Sequence, residues 1–139
     1  MNRTEFCEML QAQRKQSGVL AKQICFAMNT MPTDIYRIEK GHSNTNLNKI
    51  IDFLKATNGA IELSNGNNCF AINDYSSFIE WLINIRTSNN YTQRSLADAA
   101  GCSYAAIANT ERQNNVLSID VFLKLMDVLG YTIKITSRL

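Results

Sequence analysis

Four cysteines and a single histidine are the residues of this 139-residue chain best suited to soft-metal binding or nucleophilic attack. Their spacing serves neither purpose. Cys7, Cys25, Cys69 and Cys102 are scattered with no C-x-x-C pair, and His42 completes no ligand set. No nucleophile stands beside a base, no two carboxylates are placed as an acid–base pair, and no glycine-rich phosphate loop occurs. The pattern predicts a protein that is not an enzyme, with no cofactor and no metal. Free thiols of this kind fit a reducing cytoplasm. The chemistry that remains is recognition by charge and hydrogen bonds. The formal net charge is +2. Residues 1–63 carry eight Lys/Arg against six Asp/Glu, and residues 64–139 carry six against six. An excess this small does not announce nucleic acid, so a partner has to be read from where the charges sit.

The charged residues recur in register. Arg14 and Glu39 return as Arg86 and Glu111, and Phe6, Glu8, Leu10, Ala27, Ile35 and Ile61 return as Phe78, Glu80, Leu82, Ala99, Ile107 and Ile133, always 72 positions later. Apolar periodicity alone would drift over such a span. The constant offset points to a tandem duplication, with each copy near the lower size limit for an independent fold. Two copies are too few for a solenoid.

The elements that must position these residues are mostly helices. Phe6, Met9, Leu10 and Gln13 share one helical face ending near Ser17-Gly18. Short helices follow at about 20–27 and 32–39, with Pro32 in a first turn where its missing N–H costs nothing. A fourth helix carries Leu47, Ile50, Ile51 and Leu54, and residues 60–63 alternate like a strand. The second copy repeats the plan: helices at about 76–88, 92–101, 103–112 and 118–129, then a strand at 131–135. Thr92 and Ser103 are good N-caps. Between the copies, Asn65-Gly66 and the apolar run 69–72 predict a hairpin-like linker over 64–76, which separates units 1–63 and 77–139. The run 69–72 is a candidate third strand. No window holds ~18 uninterrupted apolar residues, so no membrane span is expected. The first residues lead straight into an amphipathic pattern, so no signal peptide is expected either.

The run Thr92-Gln-Arg-Ser-Leu-Ala-Asp-Ala-Ala-Gly-Cys-Ser-Tyr-Ala-Ala-Ile-Ala-Asn-Thr-Glu111 resembles the Xre/Cro-type helix-turn-helix, the fold of lambdoid phage repressors. Leu96 and Ala97 would pack the first helix of the motif, Gly101 would take the left-handed turn, Cys102 would fill a small core position, and Ile107 would anchor the recognition helix. Residues 20–41 form the degenerate copy. Asn29 replaces the turn glycine, which asparagine tolerates, and Ala21 replaces Gln93, while Glu39-Lys40-Gly41 keeps the family's ending. The resemblance implies a mainly α fold of two tandem helix-turn-helix domains. It also implies Arg14–Glu39 and Arg86–Glu111 ion pairs that fix the recognition helices. The terminal strands resemble those of persistence-type antitoxins. They are expected to pair within the chain as a small antiparallel sheet, making a monomeric pseudo-dimer, or to leave one strand open to another chain in a homodimer.

By the same resemblance, the base-facing residues are Tyr104, Ala105 and Asn109 in the second copy, and Pro32, Thr33 and Arg37 in the first, flanked by Asp34 and Tyr36. Asn109 suits adenine, Arg37 suits guanine, and the Ala105 methyl suits thymine. Phosphate contacts are implied for Gln93, Arg94, Arg112, Asn114 and Asn115, and for Lys22, Lys40, His42, Ser43 and Asn44. Lys49 and Lys55 read as plain surface. The function implied is a sequence-specific, double-stranded-DNA-binding transcriptional regulator, a repressor in type. The alternative is an antitoxin-like module with a toxin-like protein partner and one copy serving as scaffold. For that partner Phe70, Tyr75 and Trp81 are the candidate surface, against the plainer reading of all three as core.

Overall fold

The computed structural model describes residues 1–138. Eight helices and three strands follow in the order α1 (Arg3–Ser17), α2 (Ala21–Met28), α3 (Pro32–Lys40), α4 (Leu47–Ala56), β1 (Gly59–Ser64), β2 (Cys69–Ile72), α5 (Tyr75–Ser88), α6 (Gln93–Ala100), α7 (Tyr104–Glu111), α8 (Ile119–Leu129) and β3 (Thr132–Ser137). The fold is mainly α, with one small antiparallel sheet ordered β2-β1-β3. Helices α2 and α6 match at both ends on the 72-residue offset, and the other helices match to within a residue.

The local chemistry explains the boundaries. Asn2 caps α1 by accepting from the Glu5 amide at 2.8 Å, and Asp74, 72 residues on, caps α5 through the Ser77 amide at 2.8 Å. That cap starts α5 at Tyr75, one residue before the periodicity indicated. Thr92 and Ser95 cap α6 reciprocally, and Ser103 caps α7. The equivalent caps in the first half, Leu20 and Met31, have no side-chain oxygen to offer. There the third helical residue reaches back instead: Gln23 accepts from the Leu20 amide, and Asp34 from the Met31 amide and the Thr30 hydroxyl. Both turns between the paired short helices are left-handed, at Asn29 (φ 53°) and Gly101 (φ 69°).

The halves join along two lines. Strand β1 pairs with β3 over its full length, with Ile61 opposite Ile135, Leu63 opposite Ile133 and Glu62 opposite Lys134 at the centre. At the N-termini of α4 and α8, the Leu47 amide donates to the Leu117 carbonyl at 2.7 Å and the Ile119 amide to the Thr45 carbonyl at 2.9 Å. Moving each residue of the first bond by 72 positions gives the second, so the contact has two-fold character. The core runs through this junction without a break. Phe122 meets Phe6 edge-on at 6.2 Å and Phe78 at 5.5 Å, all three fully buried. Burial pushes the Cys7 thiol up to about 11, so it is a neutral core group.

Strand β2 forms the expected hairpin with β1, its loop closed by Asn65, which accepts from the Asn67 and Asn68 amides. Phe70 then stacks on Trp81 at 5.0 Å, and Tyr131 meets the same indole at 4.9 Å. This second contact corrects the start of β3. Tyr131 is buried against Trp81 rather than paired, and the strand begins at Thr132 and runs on to Ser137. Cys102 lies at the margin of the core, half-buried, rather than within it.

Arg3 joins α1 to α8 through Asp120, at 2.9 and 2.6 Å. Those bonds hold the Asp120 carboxyl below the usual carboxylate range. A depressed folded pKa contributes stability above the unfolded value of about 3.9, and that contribution is lost as pH falls through the folded value. Urea midpoints at pH 7 and pH 3 should therefore differ less in Arg3→Ala than in the parent. An equal difference would mean that the pair contributes nothing. The Tyr75 hydroxyl sits inside the junction, accepting from the Leu117 amide at 3.0 Å and donating to the Asn115 carbonyl at 3.4 Å. Tyr75→Phe strands that buried amide and should cost about 1–3 kcal/mol in a denaturation midpoint.

Candidate nucleic-acid interface

Helices α3 and α7 each turn an apolar face inward and a polar face outward. In α3, Ile35, Ile38 and Glu39 are buried, while Pro32, Thr33, Asp34, Tyr36, Arg37 and Lys40 are exposed. In α7, Ile107, Ala108 and Thr110 are buried, Tyr104 and Ala105 are exposed, and Asn109 is half-buried. The base-facing residues implied by sequence thus lie on the outward faces of these two helices.

What fixes each helix is a bidentate ion pair at its C-terminal end. Arg86 donates to both Glu111 oxygens, at 2.6 and 2.8 Å, and Arg14 to both Glu39 oxygens, at 2.5 and 2.9 Å. The carboxylates are only 5% exposed, so the paired geometry is what makes their charge tolerable. The Glu39 bonds hold Arg14 firmly protonated, its pKa raised despite partial burial. The second clamp is the richer one. Arg86 also donates to the Tyr91 carbonyl at 2.9 Å, and the Gln93 amide donates to Glu111 at 2.9 Å. One N–H of the glutamine expected at a phosphate is therefore directed inward, leaving the other. In the first half Ala21 occupies that position and Glu39 has no third partner of this kind.

The cations around the helices are arranged differently in the two halves. Arg94 lies over the Tyr104 ring at 4.7 Å, so its guanidinium plane is set beside the N-terminal end of α7. In the first half the aromatic is Tyr36, one turn further along, with Lys40 above it at 5.9 Å and His42 edge-on at 5.8 Å. Lys22 is exposed on α2, and Arg112, Asn114 and Asn115 are exposed just beyond α7. Asn44 has a structural task that the sequence did not reveal: its Oδ1 accepts from the Asp120 amide at 3.0 Å. Arg37 and Lys49 line a groove of about 610 Å³ beside α3, together with Asn29, Thr30, Asp34 and Asn46. The Asp34 carboxyl, held below its usual range by the Thr30 hydroxyl and then the Met31 amide, makes that groove mixed in charge rather than purely cationic.

The trio offered as a protein-facing surface follows its plainer reading, as core. Tyr75 is buried, and Phe70 and Trp81 are half-buried against each other. Among the described residues, the exposed large apolar side chains are Met1, Tyr104, Val116 and, grouped on α2, α3 and their caps, Leu20, Phe26, Met31 and Tyr36, with Phe26 91% exposed. For the last four, the second half differs. Their counterparts 72 residues on are Thr92, Asp98, Ser103 and Ala108. That substitution pattern was readable in the aligned copies, because helix caps and outward helix positions seldom carry such residues.

Among the described residues, no cluster of three or more His, Cys, Asp or Glu could hold a metal ion, and no helix is long and apolar enough to cross a membrane. Residues 82–135 match the helix-turn-helix family model, from the middle of α5 into β3, which is less than half of the chain. No curated protein and no solved structure matches. The match marks this segment as a helix-turn-helix domain and points to a DNA-binding regulator.

The two clamps differ in a measurable way. Glu111→Ala removes the acceptor of Arg86 Nε and Nη2 and of the Gln93 amide, leaving Arg86 only its bond to the Tyr91 carbonyl, whereas Glu39→Ala strands only the more exposed Arg14. Breaking a buried pair typically costs about 3–5 kcal/mol. Glu111→Ala should reach that range in urea unfolding and Glu39→Ala should fall below it; equal costs would show that Gln93 adds nothing.

Proposed function

We propose that this protein is a sequence-specific regulator of transcription, a repressor in type, that binds double-stranded DNA through two unlike helix-turn-helix units related by tandem duplication. Residues 1–63 and 77–139 form the units, and 64–76 joins them. The observation that carries the reading is the recurrence of the Arg–Glu clamp, which presents an outward polar helix in each half. Recognition helices of this kind enter the major groove with their N-terminal residues toward base edges. Tyr104, Ala105 and Asn109 would read one half-site, and Thr33 and Arg37 the other. Lys22, Lys40, Gln93, Arg94 and Arg112 would contact phosphates and set the register. Arg37 and Asn109 occupy equivalent positions, 72 residues apart, yet prefer different bases, so the operator has two unlike halves, about one helical turn apart.

A second reading is favoured by the exposed Leu20, Phe26, Met31 and Tyr36. An apolar outer face on α2 and α3 suits a protein partner better than a phosphate backbone. In that case the first unit is the scaffold of an antitoxin-like module, and only the second unit reads DNA.

Selection from a randomised duplex pool at two salt concentrations separates the readings. In the first, a two-part motif emerges. Arg37→Ala then relaxes one half and Asn109→Ala the other, each by about 1–3 kcal/mol of base discrimination. In the second, Arg37→Ala changes nothing. Weak, unselective binding with a steep salt dependence would overturn both as sequence-specific readers.

A further inference from the structure

The outer edges of the sheet are not equivalent. Strand β1 has its outer edge covered by β2, with Ile72 opposite Ile61, Ala71 opposite Glu62 and Phe70 opposite Leu63. Under that cover Ile61 is 1% exposed and Leu63 0%. Their counterparts in β3 are Ile133 and Ile135, which are only half-buried, and among the described residues no strand pairs with the outer edge of β3. Beside that edge runs a groove of about 320 Å³ between α1 and β3, lined by Met9, Ala12, Gln13, Gln16, Ile133 and Ile135. Met9 stands where α5 has Trp81, the residue on which Phe70 stacks. The groove is thus the unfilled counterpart of the slot that β2 occupies.

We propose that the outer edge of β3 is a docking site for an extended segment of a partner protein, added antiparallel as a fourth strand. Transferring the β1–β2 register to β3 specifies the segment. An aromatic residue lies opposite Ile135 and against Met9, an aliphatic residue two positions later lies opposite Ile133, and the residue between them faces Lys134. Main-chain hydrogen bonds supply affinity and the alternate side chains supply specificity. Lys134 is exposed, so an acidic residue at the middle position complements it. The same lysine argues against a second copy of this chain as the occupant. In a β3–β3 pair that sets Ile133 opposite Ile135, the two Lys134 side chains face each other, and an edge lysine opposes such self-pairing. The inference rests on the correspondence between β1 and β3, not on DNA binding.

The probe is an octapeptide copying residues 67–74 with serine in place of the cysteine, made with Ala, Glu or Lys at the position of Ala71. It is titrated into the isotope-labelled full chain and followed by amide NMR shifts. The expected result is saturable shifts at 133–136 and at Met9. Glu at the middle position should bind about two- to fivefold tighter than Ala, and Lys weaker. The ranking should collapse in Lys134→Gln, and replacing the peptide's phenylalanine by alanine should weaken binding about tenfold or more. Three outcomes would overturn the proposal. One is no shift at β3 with millimolar peptide. Another is shifts confined to Phe70 and Trp81, meaning that the peptide displaces β2. The last is a doubled mass in sedimentation with β3 amides already protected from exchange, meaning that a second copy holds the edge. DNA affinity measured with and without peptide keeps this result separate from the operator reading.

Discussion

Pairing of β1 with β3 is the constraint on which the rest of the molecule depends. Neither strand is long enough to persist without a partner, and the two lie more than 65 residues apart in the chain. Once they pair, the helices that precede them are brought face to face, and the backbone exchange between α4 and α8 can close. Phe6, Phe78 and Phe122 then share one interior. The chain therefore behaves as two similar helical lobes whose cohesion lies at their common border. Damage at the border, at Tyr75 or Leu117, reaches both.

Electrostatics acts on a smaller scale and with a different purpose. The Arg14–Glu39 and Arg86–Glu111 pairs are partly buried, and such pairs contribute more to orientation than to net stability. Each ties the end of an outward-facing helix to the long first helix of its lobe, so the exposed face is carried on a fixed support. The lobes share this device and then diverge around it. The second adds Gln93 and a guanidinium laid on Tyr104. The first has an alanine there, a tyrosine one turn along, and apolar residues at two helix caps.

Local chemistry was the legible part. Thr92, Ser103, Gly101 and Asn29 announce their caps and turns because a cap needs only residues three or four positions away. The mainly helical class and the hairpin were readable for the same reason, from spacing and turn residues, whereas the pairing of β1 with β3 was expected through the family resemblance. Long-range choices were not. The Asn44 side chain serves an amide 76 residues away, and Tyr131, a good strand former by type, is taken by Trp81 instead. Gln93 had two plausible acceptors, one inside the chain and one outside, and sequence cannot rank them. The exposed Phe26 and Met31 were visible as departures from Asp98 and Ser103, and their meaning depended on seeing how far out they stand.

The opposition of Glu62 and Lys134 at the middle of β1 and β3 carries a consequence for heredity. When two identical chains meet on a symmetry axis, whatever residue sits there must tolerate its own twin. Charge of either sign is penalised, and every codon change is felt twice. Here the two sides of the axis are separate codons, so opposite charges can face each other and either lobe can drift without dragging the other along. A single nucleotide change retunes one surface and leaves its neighbour as it was, a freedom that a pair of identical subunits does not have.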